Sequence, residues 1–401
     1  FARFRFSKLR LLLFFCLGIR IAFSQSTARL DRTLDSLAES KAFQGFGLAY
    51  VNQDGILYKK GFGFSDGKAQ KKYTVHTIQN IASVSKVLVG LAICKAVDQG
   101  KIDLDEAVAK YLPFKVENPR FPEHSITFRH LATHTSSIQD NEYYYLKNYY
   151  VNPGQNLSGM PLVFDSLQVL NAAEDKFPLA AYLEKVLAGE WREGGFTEQP
   201  PGRIYTYSNV GTALAAFALE KAVGQPFDAY TRQFILEPLG MKSSGWSMDQ
   251  VPVERHTKMY ESPERELPTY SLITYPDGGF ITSAHDLALL LTDLVRGLDG
   301  KGILLSKAGY REFFKPQLAA ENFVERNTNN PYNESYNVGI FIGFGFTGLI
   351  GHTGGDPGVT SCMFIDPHQK TGRLLLLNTN IVDQAGVNLF YQLLDALKKG
   401  S

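Results

Sequence analysis

Apolar positions along the chain change period twice. Ala28 to Ala42 places Leu30, Leu34 and Leu37 on one side of a helix. Gly47 to Val51 and Ile56 to Phe64 are short extended runs around Asn52-Gln53-Asp54-Gly55, which predicts a β-hairpin. Val84 to Gln99 is apolar almost throughout and stops at Gly100, the pattern of a buried helix. Residues from about 103 to 325 read mostly as helices joined by Pro- and Gly-containing loops. Among them are Gly211 to Val223, ended by Gly224, and Asp286 to Leu298, with an extended stretch from Arg203 to Tyr207. The tail returns to strands at Asn337 to Phe346, Leu349 to Gly351, Ser361 to Asp366 and Arg373 to Asn378, then closes with a helix, Gln384 to Lys399.

Strands at both ends with helices between them predict an α+β fold. Its antiparallel sheet is built from both chain termini and flanked by helices, with a mostly helical inserted domain. The expected boundaries are 25–110 with 326–401 for the sheet domain and 111–325 for the helical one. No internal repeat is present. The tyrosine-rich stretch Asn141 to Pro153 has two readings, an aromatic loop lining a pocket or an ordered loop packed on the helices.

Composition narrows this only slightly. The 401 residues carry 44% hydrophobic and 20% charged side chains and a net charge of +1, so no bulk field favours nucleic acid or anionic lipid. Arg3, Arg5, Lys8 and Arg10 precede the apolar run Leu11 to Ile19, and Ala22-Phe23-Ser24 resembles a cleavage site, so residues 1–24 are expected to be a secretory signal. An N-terminal anchor is the competing reading. Cleavage after Ser24 would remove five positive charges and no acids, leaving 1 − 5 = −4. The expected location is secreted or periplasmic, with no stable membrane insertion. Cys16 lacks the small preceding residues of a lipoprotein site, and Cys94 and Cys362 read as buried free thiols.

Three motif matches fail on context. Gly63-Phe64-Ser65-Asp66-Gly67 fits a nucleophile elbow, but no apolar helix follows it. Gly343 to Gly348 fits G-x-G-x-x-G, yet leads into another glycine-rich turn. His130 and His134 share an i, i+4 face without a third ligand, so both are expected to bond loop backbone and no metal is expected there.

Ser83 and Lys86 are different. Three residues apart, they share a helix face inside an apolar run. A desolvated lysine loses proton affinity and can then assist a hydroxyl nucleophile. A serine N-cap with a snorkelling lysine explains the same pair. Tyr207 and Asn209, in Tyr205-Thr206-Tyr207-Ser208-Asn209, offer a phenol and a carboxamide two residues apart. Gly351-His352-Thr353-Gly354-Gly355 offers backbone N–H groups that a substrate can approach closely.

Taken together, IASVSK (from Ile81), RHLATHTSS (from Arg129), PGRIYTYSN (from Pro201) and GHTGGDPG (from Gly351) resemble the penicillin-recognising serine hydrolases, nearest their class C β-lactamase branch. Phe43 to Phe64, Leu236 to Met241 and Gly278 to Leu287 also look like that branch, so the likeness spans about residues 40 to 396. It implies that Ser83 is acylated, Lys86 assists its deprotonation, and Tyr207 carries the proton. It also implies that Asn209 orients substrate and Lys86, that His352, Thr353 and Gly354 line the strand beside the substrate, and that the N–H groups of Ser83 and Gly355 form an oxyanion hole. The same resemblance implies that no metal or cofactor is needed. Two positions depart from the branch: His352 replaces a lysine, and Ser137 stands where a glycine is usual. A mostly neutral histidine binds a substrate carboxylate poorly. The expected function is therefore a secreted serine hydrolase of amides or esters, with D-peptides and small esters as candidate substrates. A β-lactamase or D-Ala-D-Ala carboxypeptidase, and a penicillin-binding receptor that acylates without turnover, are the alternatives. The expected partner is a small molecule or peptide, not nucleic acid. Oligomeric state stays open.

Overall fold

A computed structural model describes residues 28–164, 167–323, 337–344 and 348–399. The expected signal, Cys16 and part of the Gly343 to Gly348 motif lie outside them. The chain divides into two units, Phe43–Asn380 and Phe1–Ala42 with Ile381–Ser401. Of the latter, the described parts include helix α1 (28–38), in which Leu30 and Leu34 are buried, and a C-terminal helix (Gln384–Lys399) with the predicted bounds.

The larger unit is organised around an antiparallel sheet. Its main strands are β1 (Gly45–Asn52), β2 (Gly55–Asp66), β3 (Ile350–Asp356), β4 (Val359–Asp366) and β5 (Thr371–Leu377). The order runs Asn337–Val338, Gly343–Phe344, β3, β4, β5, β1, β2, Lys71–Lys72. β1 pairs with β5, Phe46 opposite Leu377 and Asn52 opposite Thr371, so the two ends of the chain meet at its middle. The hairpin forms where predicted. Asn52 Oδ1 accepts from the N–H groups of Asp54 (2.8 Å) and Gly55 (3.1 Å), and Gly55 takes φ 148°. Phe46 and Phe62 stack across the strands at 4.9 Å.

Helices α2 (Lys86–Asp98), α3 (Asn209–Val223) and α4 (Ala284–Gly297) build the rest of the core. α4 packs along β1 and β5 so closely that a Cβ on Gly372 would lie 2.6 Å from Leu291. α3 begins at Ser208, whose Oγ accepts from Gly211 N–H at 2.9 Å, and ends at Gly224 with φ 70°.

Three local expectations differ. The tyrosine-rich stretch is no loop: Glu142–Lys147 is a helix and Tyr149–Val151 a strand in a four-stranded sheet with Val163–Phe164, Gln168–Asn171 and Tyr270–Leu272. All three residues of Tyr149–Val151 are buried, which erases the alternation that signals a strand. Arg203 to Tyr207 is a turn and irregular chain, not a strand. The run from Asn337 breaks into two-residue strands, because Phe341 takes φ 53° and Gly339 N–H bonds Ile342 O at 2.7 Å.

Candidate active site

Ser83 sits on a 3-10 turn (Ala82–Ser85) that runs into α2, not on the α-helix itself. Ala82 enters the turn at φ 52°, a left-handed conformation that costs an alanine about 1–2 kcal/mol. Neighbouring elements hold it. Ile81 N–H bonds Phe280 O at 3.0 Å, Phe280 N–H bonds Ser85 Oγ at 3.2 Å, and Ser361 Oγ donates to Ile81 O at 2.7 Å. Strand β3 passes directly over the turn. A Cβ on Gly354 would lie 2.3 Å from Ile81 O and 2.9 Å from Ser83 N, whereas one on Gly355 would meet nothing within 4 Å. Glycine is required at 354 by contact; at 355 a Cβ would enter open space.

Lys86 is fully buried. Its ammonium donates to Ser83 Oγ (3.1 Å), Asn209 Oδ1 (2.7 Å) and the backbone oxygen of Asp277 (2.7 Å). All three N–H bonds are thus used, and none goes to a carboxylate. Burial lowers its proton affinity; the charges of Asp277, Asp140 and Asp356 work in the other direction. Tyr207 Oη donates to Ser83 Oγ at 3.2 Å, and the Lys86 nitrogen stands 5.0 Å from the phenol ring. Burial pushes the Tyr207 phenol well above its ordinary range, so it rests protonated.

Asn209 opens α3 and is held by a residue that sequence reasoning missed. Asp140 Oδ2 accepts from Asn209 N–H (3.0 Å) and Asn209 Nδ2 (2.8 Å); its Oδ1 accepts from Val210 N–H (2.9 Å) and Ser208 Oγ (3.2 Å). One carboxylate thereby occupies the positive end of α3 and turns the Asn209 amide so that its oxygen faces Lys86. No spacing marks Asp140. The only cue is that Asn209, at a helix start, needs an acceptor.

His134 lies with its ring 4.5 Å from that of Tyr207, and its Nδ1 accepts from Ser208 N–H at 3.2 Å. His130 Nδ1 accepts from Thr127 N–H at 3.3 Å. Both bond backbone, and no metal-ligating group of three or more His, Cys, Asp or Glu residues exists among the described residues. His352 is buried, its Nδ1 2.5 Å from Thr353 O, and burial with the nearby Lys86 charge lowers its pKa to about 4. It is therefore neutral at pH 7. Ser137 takes the left-handed conformation (φ 64°) that a glycine adopts freely, and its Oγ accepts from Asn118 Nδ2 at 3.2 Å. Ser65 lies near the end of β2, its Oγ donating to Lys71 O at 3.2 Å, in a strand and not at a strand-to-helix turn. Cys94 and Cys362 are free and buried.

A family model described as Beta-lactamase matches residues 30–398. A penicillin-binding protein of Bacillus subtilis is 25% identical over 368 residues, covering 85% of this chain and 70% of that protein. Esterase EstB of Burkholderia gladioli is 28% identical over 221 residues, 55% of this chain and 51% of that one. An octameric penicillin-binding protein homologue from Pyrococcus abyssi superposes with a TM-score of 0.71 at 23% identity, covering 92% of this chain and 77% of that one.

Proposed function

The chain belongs to the Beta-lactamase family, as a serine hydrolase with the β-lactamase/transpeptidase-like fold, and from that premise we propose that it cleaves an amide or ester through an acyl-enzyme on Ser83. The observation that carries the reading is the convergence on Ser83 Oγ of Lys86 at 3.1 Å and Tyr207 at 3.2 Å, groups 124 residues apart in sequence in the second case.

The protonation states set the order of events. With Lys86 charged and Tyr207 neutral, both donate to Ser83 Oγ and neither can take its proton. Burial makes Lys86 the group that yields first. Neutral Lys86 accepts the Ser83 proton as Oγ attacks the carbonyl carbon, which becomes tetrahedral. Tyr207 donates its proton to the departing nitrogen or oxygen and recovers one from Lys86. The N–H groups of Ser83 and Gly355 hold the oxyanion, each contributing about 3–4 kcal/mol. Water then attacks the acyl carbon, and the same groups return the proton to Ser83 Oγ. Asn209 holds the substrate and Lys86 in register, and His352, Thr353 and Gly354 line the strand beside it.

Neutral His352 offers no fixed positive charge, so uncharged or amine-bearing acyl groups, small esters and D-peptides among them, suit the site better than a carboxylate such as that of a penicillin or a peptide C-terminus. The basic and apolar pattern of residues 1–24 supports export to the periplasm or beyond, and residues 25–110 with 326–401 and 111–325 are proposed as the sheet and helical domains. Among the described residues no helix is long and apolar enough to cross a membrane.

The test is a screen of p-nitrophenyl esters, D- and L-amino-acid p-nitroanilides and nitrocefin, run beside Ser83→Ala, with mass spectrometry after a fluorophosphonate probe. Ester or anilide turnover lost in the variant, and probe mass on Ser83, are expected. Labelling elsewhere with full activity in Ser83→Ala would refute the assignment. Dominant nitrocefin turnover would move it to a β-lactamase, and stoichiometric labelling without turnover of any ester to a receptor.

A further inference from the structure

Behind Lys86 lies a second layer of chemistry that the reaction does not use. The short helix Tyr275–Gly278 supplies the Asp277 backbone oxygen to Lys86, and the same residue carries a buried carboxyl group, 1% exposed. Its Oδ1 accepts from Tyr144 Oη at 3.1 Å, and its Oδ2 has no hydrogen-bond partner among the described residues. Next to it, Asp356 Oδ2 stands 3.1 Å from where a Cβ on Gly278 would be, while Asp356 Oδ1 accepts from Tyr149 Oη at 2.8 Å. The Tyr144 and Tyr149 rings are 6.2 Å apart, edge to face, and Tyr149 meets Tyr270 at 5.6 Å. Two carboxyl groups and one ammonium are thus buried near one another beside Tyr144, Tyr149 and Tyr270.

We propose that Asp277, backed by Asp356, is a positioning residue that delays activation of Ser83 by stabilising the charged form of Lys86, and that neither carboxyl group touches substrate. The proposal rests on the acyl-enzyme reading above. An isolated buried carboxylate is costly, and so is an isolated buried ammonium; each is relieved by the other or by a change of proton. The groups facing Lys86 are Ser83 from the 3-10 turn, Tyr207 and His134 from loops, Asn209 from α3, His352 and Asp356 from β3, Asp140, and Asp277. Those facing Asp277 are Lys86, Tyr144, the Thr274 hydroxyl, Asp356 and Asp140.

Burial raises Asp277 to about 8 and Asp356 to about 6, and lowers Lys86. The protons therefore leave as a coupled set. A negative charge on the buried Asp277 carboxyl, near Lys86 but not bonded to it, makes the ammonium hold its own proton more tightly. Only the loss of that proton frees the amine that Ser83 needs. With an uncharged residue at 277 the amine is freed at lower pH.

The experiment measures the rate at which a fluorophosphonate probe labels Ser83, by intact mass, from pH 5 to 10, in the full chain and in Asp277→Asn and Asp356→Asn. Wild-type labelling should rise with pH. In Asp277→Asn the midpoint should fall by about one pH unit, the size of an opposite charge removed from a buried neighbour. Asp356→Asn should shift it the same way by less, and carries the test if Asp277→Asn does not fold. A midpoint unchanged in the folded variants overturns the proposal, including the case where the rate drops evenly at every pH, as a purely structural role would give. If wild type is not labelled at Ser83 at all, the acyl-enzyme reading falls instead.

Discussion

Asp140 touches no reacting atom, yet the site's geometry makes Asp140→Asn one of the most damaging conservative changes available. The carboxylate accepts four hydrogen bonds, two on each oxygen. An amide keeps one oxygen as acceptor and turns an NH2 group toward donors on the other side: either Asn209 N–H with Asn209 Nδ2, or Val210 N–H with Ser208 Oγ. Two bonds to a charged acceptor are lost, at about 1.5–3 kcal/mol each, with partial compensation from water because Asp140 is only half-buried by exposure. Loss of a negative charge at the start of α3 adds about 0.5 kcal/mol. The sum is about 4 kcal/mol, which for a chain of this size corresponds to a melting temperature lower by about 5 °C. Activity falls further than stability alone predicts. Freed from Asp140, the Asn209 amide can turn away from Lys86, and misplacing such a group costs about 10- to 100-fold. Differential scanning fluorimetry and p-nitrophenyl ester turnover on the same preparation read both effects. A melting temperature within 1 °C of wild type together with kcat/KM within about twofold would show that the Asp140 contacts do not organise the site.

Gly354→Ala should abolish probe labelling of Ser83 or drop it by about 100-fold, because its methyl group collides with Ile81 O and Ser83 N, while Gly355→Ala should leave the melting temperature unchanged; equal labelling in wild type and Gly354→Ala would contradict this. His352 is held neutral, its folded pKa of about 4 lying below the ordinary 6.5, so the unfolded chain binds the extra proton between those values and stability is lost as pH falls from 6.5 to 4. The loss from this residue is about 3 kcal/mol by pH 4. The melting temperatures of wild type and His352→Asn, compared at pH 7 and pH 4.5, should therefore converge on acidification, and a constant gap would argue against a buried neutral imidazole.

The predicted site residues lie together because their chemistry is unusual where it stands. Lys86 amid Val84, Val87 and Leu88 is visible in the sequence as a charge in the wrong place. Asp277 and Asp356 were invisible for the opposite reason: an acid beside Pro276 or Pro357 reads as an ordinary turn residue, and only the fold buries it. Asp140 reads likewise as loop. The sheet was legible in β1, β2, β4 and β5, whose apolar runs are bounded by turn residues. The small sheet at Tyr149–Val151 was not, since strands of two to four residues carry too few positions to show a period. Glycine-rich β3 extends five residues past its predicted end at Gly351, its pairing with β4 supplying what propensity withholds.

The clamp on residues 81 to 83 has a bearing on biosynthesis. Ser361 and Gly354, which pin that turn, belong to strands that join β1 in the sheet through β5. A ribosome makes residue 83 long before residue 377, so for most of translation the nucleophile has no frame to stand on. The frame that shapes the Ser83 turn is thus complete only once the last strands have been made.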